Sequence, residues 1–145
     1  MMTPLDVQVH PDVSADDTAT LFRFVDGIVA DGKRIFAGEV AQRLAVRQAR
    51  GGIALGGGVL VPHAAVHRLS RARLIYVQLQ TPIDMETPDH EPIRDALTLL
   101  VRYPPTFSDH VLLERICNPH MTPILIDLLR KGLLTEAAHH LANTE

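Results

Sequence analysis

The sequence predicts a layered α/β domain, because two segments of helical apolar spacing come first, strand-like apolar runs occupy the middle, and further helical segments close the chain. Placing helices before and after the strands implies that helices cover both sides of a sheet. The length of 145 residues, 46% of them hydrophobic, suits one domain over 1–145 with a mostly aliphatic core. Neither an internal repeat nor an interdomain linker is visible.

Each element has a local reason. Residues 1–13 mix prolines with Val7, Val9 and Val13 in alternation and predict an extended lead-in. Ser14, Asp16 and Asp17 offer an N-cap and first-turn acids for a helix from about Ala15 to Ala30, stopped at Gly32, with Leu21, Val25, Ile28 and Val29 at helical spacing. A short connection carrying Ile35 leads to a second helix, in which Ala37, Val40, Ala41 and Leu44 repeat the pattern and bring the chain to Arg47. Then comes GGIALGGGVLVPH, Gly51 to His63, the stretch on which the functional reading turns. Gly56, Gly57 and Gly58 reach positive φ without a Cβ clash and let an anion approach the backbone, so they form a candidate phosphate loop. Val59, Leu60 and Val61 read as a short buried strand that Pro62 ends, leaving His63 at its tip, where ligands collect in open α/β sheets.

Beyond a polar stretch with His67 and Ser70, Leu74 to Leu79 reads as a central strand. The segment from Thr81 to Pro92 holds three prolines and four acids and reads as an exposed connection that Pro82 and Ile83 anchor. Ala96 to Val101 predicts a third strand, with its leucine and alanine leaving helix open. Ser108 and Asp109 are candidate caps for a helix carrying Val111, Leu112, Leu113 and Ile116, broken before Pro119. Thr122 and Pro123 read as N-cap and N1 of the next helix, which closes at Gly132, and Thr135 as the cap of a last one through Ala142.

Composition narrows the function. A formal charge of −3 argues against nucleic acid as the main partner, and Arg68, Arg71 and Arg73 read as a solvated rim before a strand. Cys117 is alone, so no intrachain disulfide forms, which fits a reducing compartment. No signal-peptide pattern and no long apolar span is present, so the expectation is a soluble, cytoplasmic protein without membrane insertion.

The chain has eight histidines. His139 and His140 suit the end of a terminal helix, and His10, His90 and His120 sit in loop-like settings. His63 and His67 have the spacing of a helical metal pair, but His63 falls on a strand end, and no second motif accompanies them; the expectation is no metal. His63 with His110 is the more informative pair, since His110 falls in the first turn of a helix, where free N–H groups and the dipole favour an oxyanion. A neutral imidazole can attack phosphorus directly. One histidine as nucleophile, another as hydrogen-bond donor, backbone N–H groups and an arginine make a phosphoryl-transfer site, because that chemistry asks mainly for positioning and charge stabilisation. The glycine loop lacks the Walker A lysine and the G-x-G-x-x-G spacing, so no nucleotide cofactor is indicated.

RQARGGIALGGGVLVPH, Arg47 to His63, resembles the active-site region of the mannitol/fructose-type enzyme IIA domains of the bacterial phosphoenolpyruvate-dependent phosphotransferase system, including the nitrogen-regulatory enzyme IIA. That family shows an arginine, a Thr-Gly-Ile-Gly-x-Gly loop, an apolar triplet and Pro-His, and the spacing is kept here without a gap. The resemblance continues through VQLQTPIDMETPDHEPIRDALTLLV and through SDHVLLERI, which holds the place of the family's second histidine. It implies a mixed sheet flanked by helices, with His63 as phosphorylated nucleophile, His110 as the histidine that orients or stabilises it, and Arg47 beside the site. It also implies phosphate taken from HPr or a paralogue and passed to an enzyme IIB, or used as a signal to a regulated kinase or transporter, without metal or nucleotide. No fused transporter or IIB segment is seen in the sequence, which favours the regulatory role. Two departures stand out: Ile53-Ala54 where the family has Thr-Gly, and Gln48 where it has glutamate after the arginine.

Overall fold

The computed structural model describes residues 5–30 and 35–142. Six strands and five helices follow in the order β1 (Asp6–Val13), α1 (Thr18–Ala30), α2 (Glu39–Gln48), β2 (Ala54–Gly56), β3 (Val59–Leu60), β4 (His63–Val66), β5 (Arg73–Ile83), β6 (Ile93–Arg102), α3 (Phe107–Ile116), α4 (Thr122–Arg130) and α5 (Leu134–Ala142). The sheet is mixed and open, ordered β1-β5-β6-β3-β2, with β4 also on β6. β1 runs parallel to β5, β5 and β6 are antiparallel, β3 and β4 are parallel to β6, and β2 closes an antiparallel hairpin with β3.

Strand alternation divides the core in two. Ile75, Val77 and Leu79 of β5 and Ala96 and Leu100 of β6 meet Leu21, Phe22, Val25 and Val29 of α1 and Val40 and Leu44 of α2. Leu74, Tyr76, Leu97, Leu99 and Val101 face the other way, onto Ile116 of α3, Leu125, Ile126 and Leu129 of α4, and Ala137 and Leu141 of α5. The result is the expected α/β domain, helices on both faces of a sheet. It also explains why Ile93–Arg102 is a strand: a run apolar on both faces suits a central strand with a core on each side.

Several boundaries move, each for a stated reason. The lead-in is a strand because β5 supplies a parallel partner from Asp6 onward. The first helix starts at Thr18, not near Ala15, since Asp17 is its cap, its carboxylate accepting the Thr20 N–H at 2.8 Å. Its expected stop, Gly32, lies outside the described residues. Thr106, not Ser108 or Asp109, caps α3: its hydroxyl accepts the Asp109 N–H at 3.2 Å while the Asp109 carboxylate accepts the Thr106 N–H at 2.8 Å, a closed capping box. Thr122 is already helical, and its hydroxyl donates back to the Ile116 and Asn118 carbonyls at 2.5 and 2.8 Å. Thr135 lies within α5 rather than at its cap. The connection after β5 begins later than expected, because Thr81, Pro82 and Ile83 continue the strand and Ile83 pairs with Ile93.

A non-local cap orients α2, the helix that carries Arg47. Its N-cap is Gly38 at φ +90°, which has no side chain, and the buried Asp26 carboxylate of α1 takes over, accepting the Gly38 and Ala41 N–H groups at 2.9 Å each. On the opposite face Asp95 accepts hydrogen bonds from Tyr76 Oη and Arg130, the latter at 2.6 Å, tying β5, β6 and α4 together.

Candidate functional site

His63 is the first residue of β4, and this corrects its expected position at the end of a strand. Val59 faces Asp95, Leu60 faces Ala96 and His63 faces Leu99, so β3 and β4 lie in one register on β6 with no residue inserted between them. Pro62 interrupts the ladder because it lacks an N–H, yet its carbonyl still accepts the Leu99 N–H at 2.9 Å. Val61 turns its groups to the outer side, where its N–H donates to the Ile53 carbonyl at 2.7 Å.

The imidazole is held at both nitrogens. Nδ1 lies 3.0 Å from the Val61 carbonyl, and since a carbonyl only accepts, Nδ1 carries the proton. Nε2 is then the bare nitrogen, and it accepts from Arg47 Nε at 3.0 Å. Burial, chiefly, holds the His63 pKa below the ordinary histidine value; the Val61 bond opposes it and the Arg47 charge adds to the lowering. His63 is therefore neutral near pH 7, with its lone pair on Nε2.

Arg47 is itself braced. It sits in the last turn of α2, where the chain leaves the helix through Gly51 at φ +79°. That left-handed turn brings the Gly51 carbonyl to the guanidinium, which donates to it from Nη1 at 2.7 Å. Gln48 is turned away, its side-chain oxygen accepting from the Thr18 hydroxyl at 3.1 Å. Ile53, 4% exposed, is a core residue whose backbone meets Val61.

His63 opens into a cleft of about 250 Å³ between α2, β4, β6 and the start of α3. Arg47 and His110 both line it, so the structure gathers in one cleft the three side chains singled out in the sequence. Arg43 joins them from α2 and Arg50 from the turn just past its end, and Asp109 is the one acid among the described residues that line the cleft. Those two arginines were missed although part of their signal was readable, since residues 43 and 47 have the i, i+4 spacing of one helical face and Arg50 follows three residues later. The half-exposed Val46 and Tyr103 form the rim, with Phe107, 82% exposed, on the adjoining first turn of α3.

Gly56, Gly57 and Gly58 are not part of this wall. They turn the β2–β3 hairpin at φ +95°, +65° and +80°, as their freedom allows. The Gly57 N–H donates to the Asp89 carboxylate at 2.7 Å, and a Cβ at Gly58 would press the Pro92 carbonyl at 3.2 Å. A carboxylate of the chain itself thus occupies the anion position the glycines offer. His67 is separated from His63 by the length of β4, not by one helical turn, and its ring lies against Tyr103, tilted by 39° with centroids 4.3 Å apart. Among the described residues no cluster of three or more metal-ligating side chains occurs, and no helix is long and apolar enough to cross a membrane. Cys117 is half-buried at the C-terminal end of α3.

Comparison with known proteins gives a family and several similar folds. The family described as "Phosphoenolpyruvate-dependent sugar phosphotransferase system, EIIA 2" matches residues 5–137. Among solved structures, the nitrogen regulatory protein IIA-Ntr from Neisseria meningitidis is similar with a TM-score of 0.72 at 20% identity, covering 84% of this chain and 83% of that one. The mannitol IIA of Escherichia coli has a TM-score of 0.57 at 16% identity, covering 83% of this chain and 94% of that one. The complex of enzyme IIAMTL with phosphorylated enzyme IIBMTL from Escherichia coli gives 0.54 at 17% identity, covering 94% of this chain and 85% of that one. No curated protein matches by sequence.

Proposed function

Because the chain belongs to the EIIA 2 family of the phosphoenolpyruvate-dependent sugar phosphotransferase system, whose members are phosphotransfer components, we propose that it carries a phosphoryl group on Nε2 of His63. The observation that supports this most directly is the Arg47–His63–Val61 chain of hydrogen bonds, which leaves a neutral imidazole with a defined nucleophilic nitrogen in an arginine-lined cleft. The donor is the phosphohistidine of HPr or a paralogue. The Nε2 lone pair attacks phosphorus in line as the donor's P–N bond breaks and its electron pair returns to the donor imidazole. The Nδ1 proton stays on the Val61 bond during attack.

Arg47 must release Nε2 as phosphorus arrives, and its guanidinium then pairs with the phosphoryl oxygens. His110, in the first turn of α3, supplies a second donor to those oxygens, and the helix N-terminus favours their charge. The two departures from the family pattern leave this pair standing, since Gln48 is engaged by Thr18 and Ile53 is absorbed in the core. The apolar rim of Val46, Tyr103 and Phe107 suits the docking of protein partners: an enzyme IIB, as in the mannitol complex, or in the regulatory role favoured here a kinase or transporter that reads the phosphorylation state. This reading places the protein in the cytoplasm.

Incubation with phosphoenolpyruvate, enzyme I and HPr should give an acid-labile phosphate on the wild type that is lost in His63→Gln; an unlabelled wild type rejects the carrier role. Pull-downs with wild type and His63→Asp test the switch. Partners indifferent to that change reject regulation by phosphate.

A further inference from the structure

We infer that Arg43 and Arg50 form a second anion subsite beside the phosphoacceptor, so that the cleft also binds, without reaction, a small organic phosphate bearing a carboxylate. The inference rests on the reading of this cleft as a phosphoryl site and adds a ligand class to it.

The argument starts from charge. The chain is net acidic, yet the cleft is lined by three arginines against one aspartate. That aspartate, Asp109, is occupied by the Thr106 N–H in the capping box. Arg47 is committed to His63 and Gly51. Among the described residues neither Arg43 nor Arg50 has a carboxylate at ion-pair distance. Like charges lining one cleft repel, and an anion placed between them relieves that repulsion while gaining charge-assisted hydrogen bonds.

Spacing selects the kind of anion. At 1.5 Å rise per residue, Arg43 stands roughly 6 Å along the α2 axis from Arg47, and Arg50 flanks Arg47 on the other side from the turn just past the helix, its N–H donating to the Arg47 carbonyl. A lone phosphate on Arg47 leaves the flanking guanidinium groups without an anion. A ligand with phosphate and carboxylate on a short carbon chain reaches Arg47 and a flanking arginine together, against an apolar floor of Leu99, Val101 and Leu113. A cleft of about 250 Å³ admits such a molecule. Its phosphate would sit over His63 and block the incoming phosphoryl donor, so occupancy makes phosphorylation responsive to small phosphorylated acids.

The test uses phosphoglycolate, with inorganic phosphate as the one-group control, in isothermal titrations of unphosphorylated protein at fixed ionic strength. Phosphoglycolate should bind roughly tenfold more tightly than phosphate, the gain expected of one further charge-assisted contact. Arg43→Gln and Arg50→Gln, singly and together, should remove that advantage, with circular dichroism confirming the fold. Phosphoglycolate should also slow labelling of His63 by phosphoramidate. Equal affinity for the two ligands in the wild type overturns the inference, as does undiminished phosphoglycolate binding in the double variant. If that variant loses transfer from phospho-HPr while still binding phosphoglycolate, the arginines serve a partner protein and the inference fails. A wild type that phosphoramidate never labels counts against the carrier reading alone, because the titration does not depend on it.

Discussion

Arg47→Gln is the perturbation that separates the parts of the site. In the resting protein Arg47 Nε–H occupies the His63 nitrogen that must become the nucleophile, at 3.0 Å, and the guanidinium is anchored to Gly51 O at 2.7 Å. Its removal therefore has two opposed effects. It frees the Nε2 lone pair and takes away a positive charge, so the His63 pKa rises toward the ordinary value, though not fully, because burial is the larger cause of its depression. It also removes the cation that meets the phosphoryl oxygens. A hydrogen bond to a charged group contributes about 1.5–3 kcal/mol, which corresponds to roughly a 10- to 150-fold loss of labelling rate; partial exposure of Arg47 favours the lower end. The second effect wins, because a freed lone pair gains only what one hydrogen bond withheld, whereas the charged phosphoryl oxygens lie beside the guanidinium both in the transition state and in the phosphohistidine product. Initial rates of labelling with phosphoramidate across pH 5 to 8 measure both effects at once: the plateau should fall and the acid limb should move to higher pH. Arg47→Lys should recover part of the plateau, as it keeps the charge but loses the forked geometry. Labelling of Arg47→Gln at the wild-type rate, or an acid limb moved to lower pH, refutes the argument.

The remaining predictions concern the frame around the site. The folded His63 pKa lies below its unfolded value, so the unfolded chain binds the proton first, and this contribution to stability is complete above about pH 6.5 and is lost as pH falls toward the lowered folded value; urea midpoints of wild type relative to His63→Gln should decline over that window. Asp26→Ala leaves the Gly38 and Ala41 N–H groups without their acceptor and should cost about 1–2 kcal/mol in urea unfolding, where an unchanged midpoint would show the α1–α2 cap to be idle. Gly57→Ala meets open space but at φ +65°, so a loss of about 1 kcal/mol is expected with His63 labelling within about twofold of wild type; a collapse of labelling would return the hairpin to the phosphate site.

What the sequence disclosed follows physical range. β5 was legible because Leu74 to Leu79 is β-rich and apolar on both faces, as a strand between two helical layers is, whereas the leucine and alanine of Ala96 to Val101 left helix open for β6 until the pairing with β5 decided it. β4 was not: His63-Ala64-Ala65-Val66 is poor in strand formers and follows a proline, and it is extended because β6 offers a parallel partner in register. The Thr106 cap was readable, since Thr106 and Asp109 have the spacing of a capping box, whereas the Asp26 cap joins two helices through their packing and leaves no local trace. The glycines show the same limit. Their positive φ was evident from composition, but whether their N–H groups face a ligand or a side chain depended on Asp89, far along the chain. His63 and His110 could be named in advance because the chemistry restricts residue types, Arg47 was named through the family resemblance, and their convergence needed the fold.

The sheet edge bears on how His63 should be replaced. The Pro62 carbonyl faces β6, so the Val61 groups face outward, where the Val61 N–H finds Ile53 but its carbonyl finds the His63 ring. β2 begins only at Ala54 and offers that carbonyl no ladder partner. The imidazole is thus both the nucleophile and the donor that satisfies a carbonyl of a residue only 1% exposed. His63→Ala removes both functions, and the unsatisfied carbonyl should cost about 1–3 kcal/mol. His63→Gln can return an N–H donor without a nucleophilic nitrogen, so it should lose labelling while keeping most of the stability. If His63→Ala and His63→Gln unfold at the same urea concentration, the Val61 bond does not hold the ring, and the tautomer assigned to His63 loses its support.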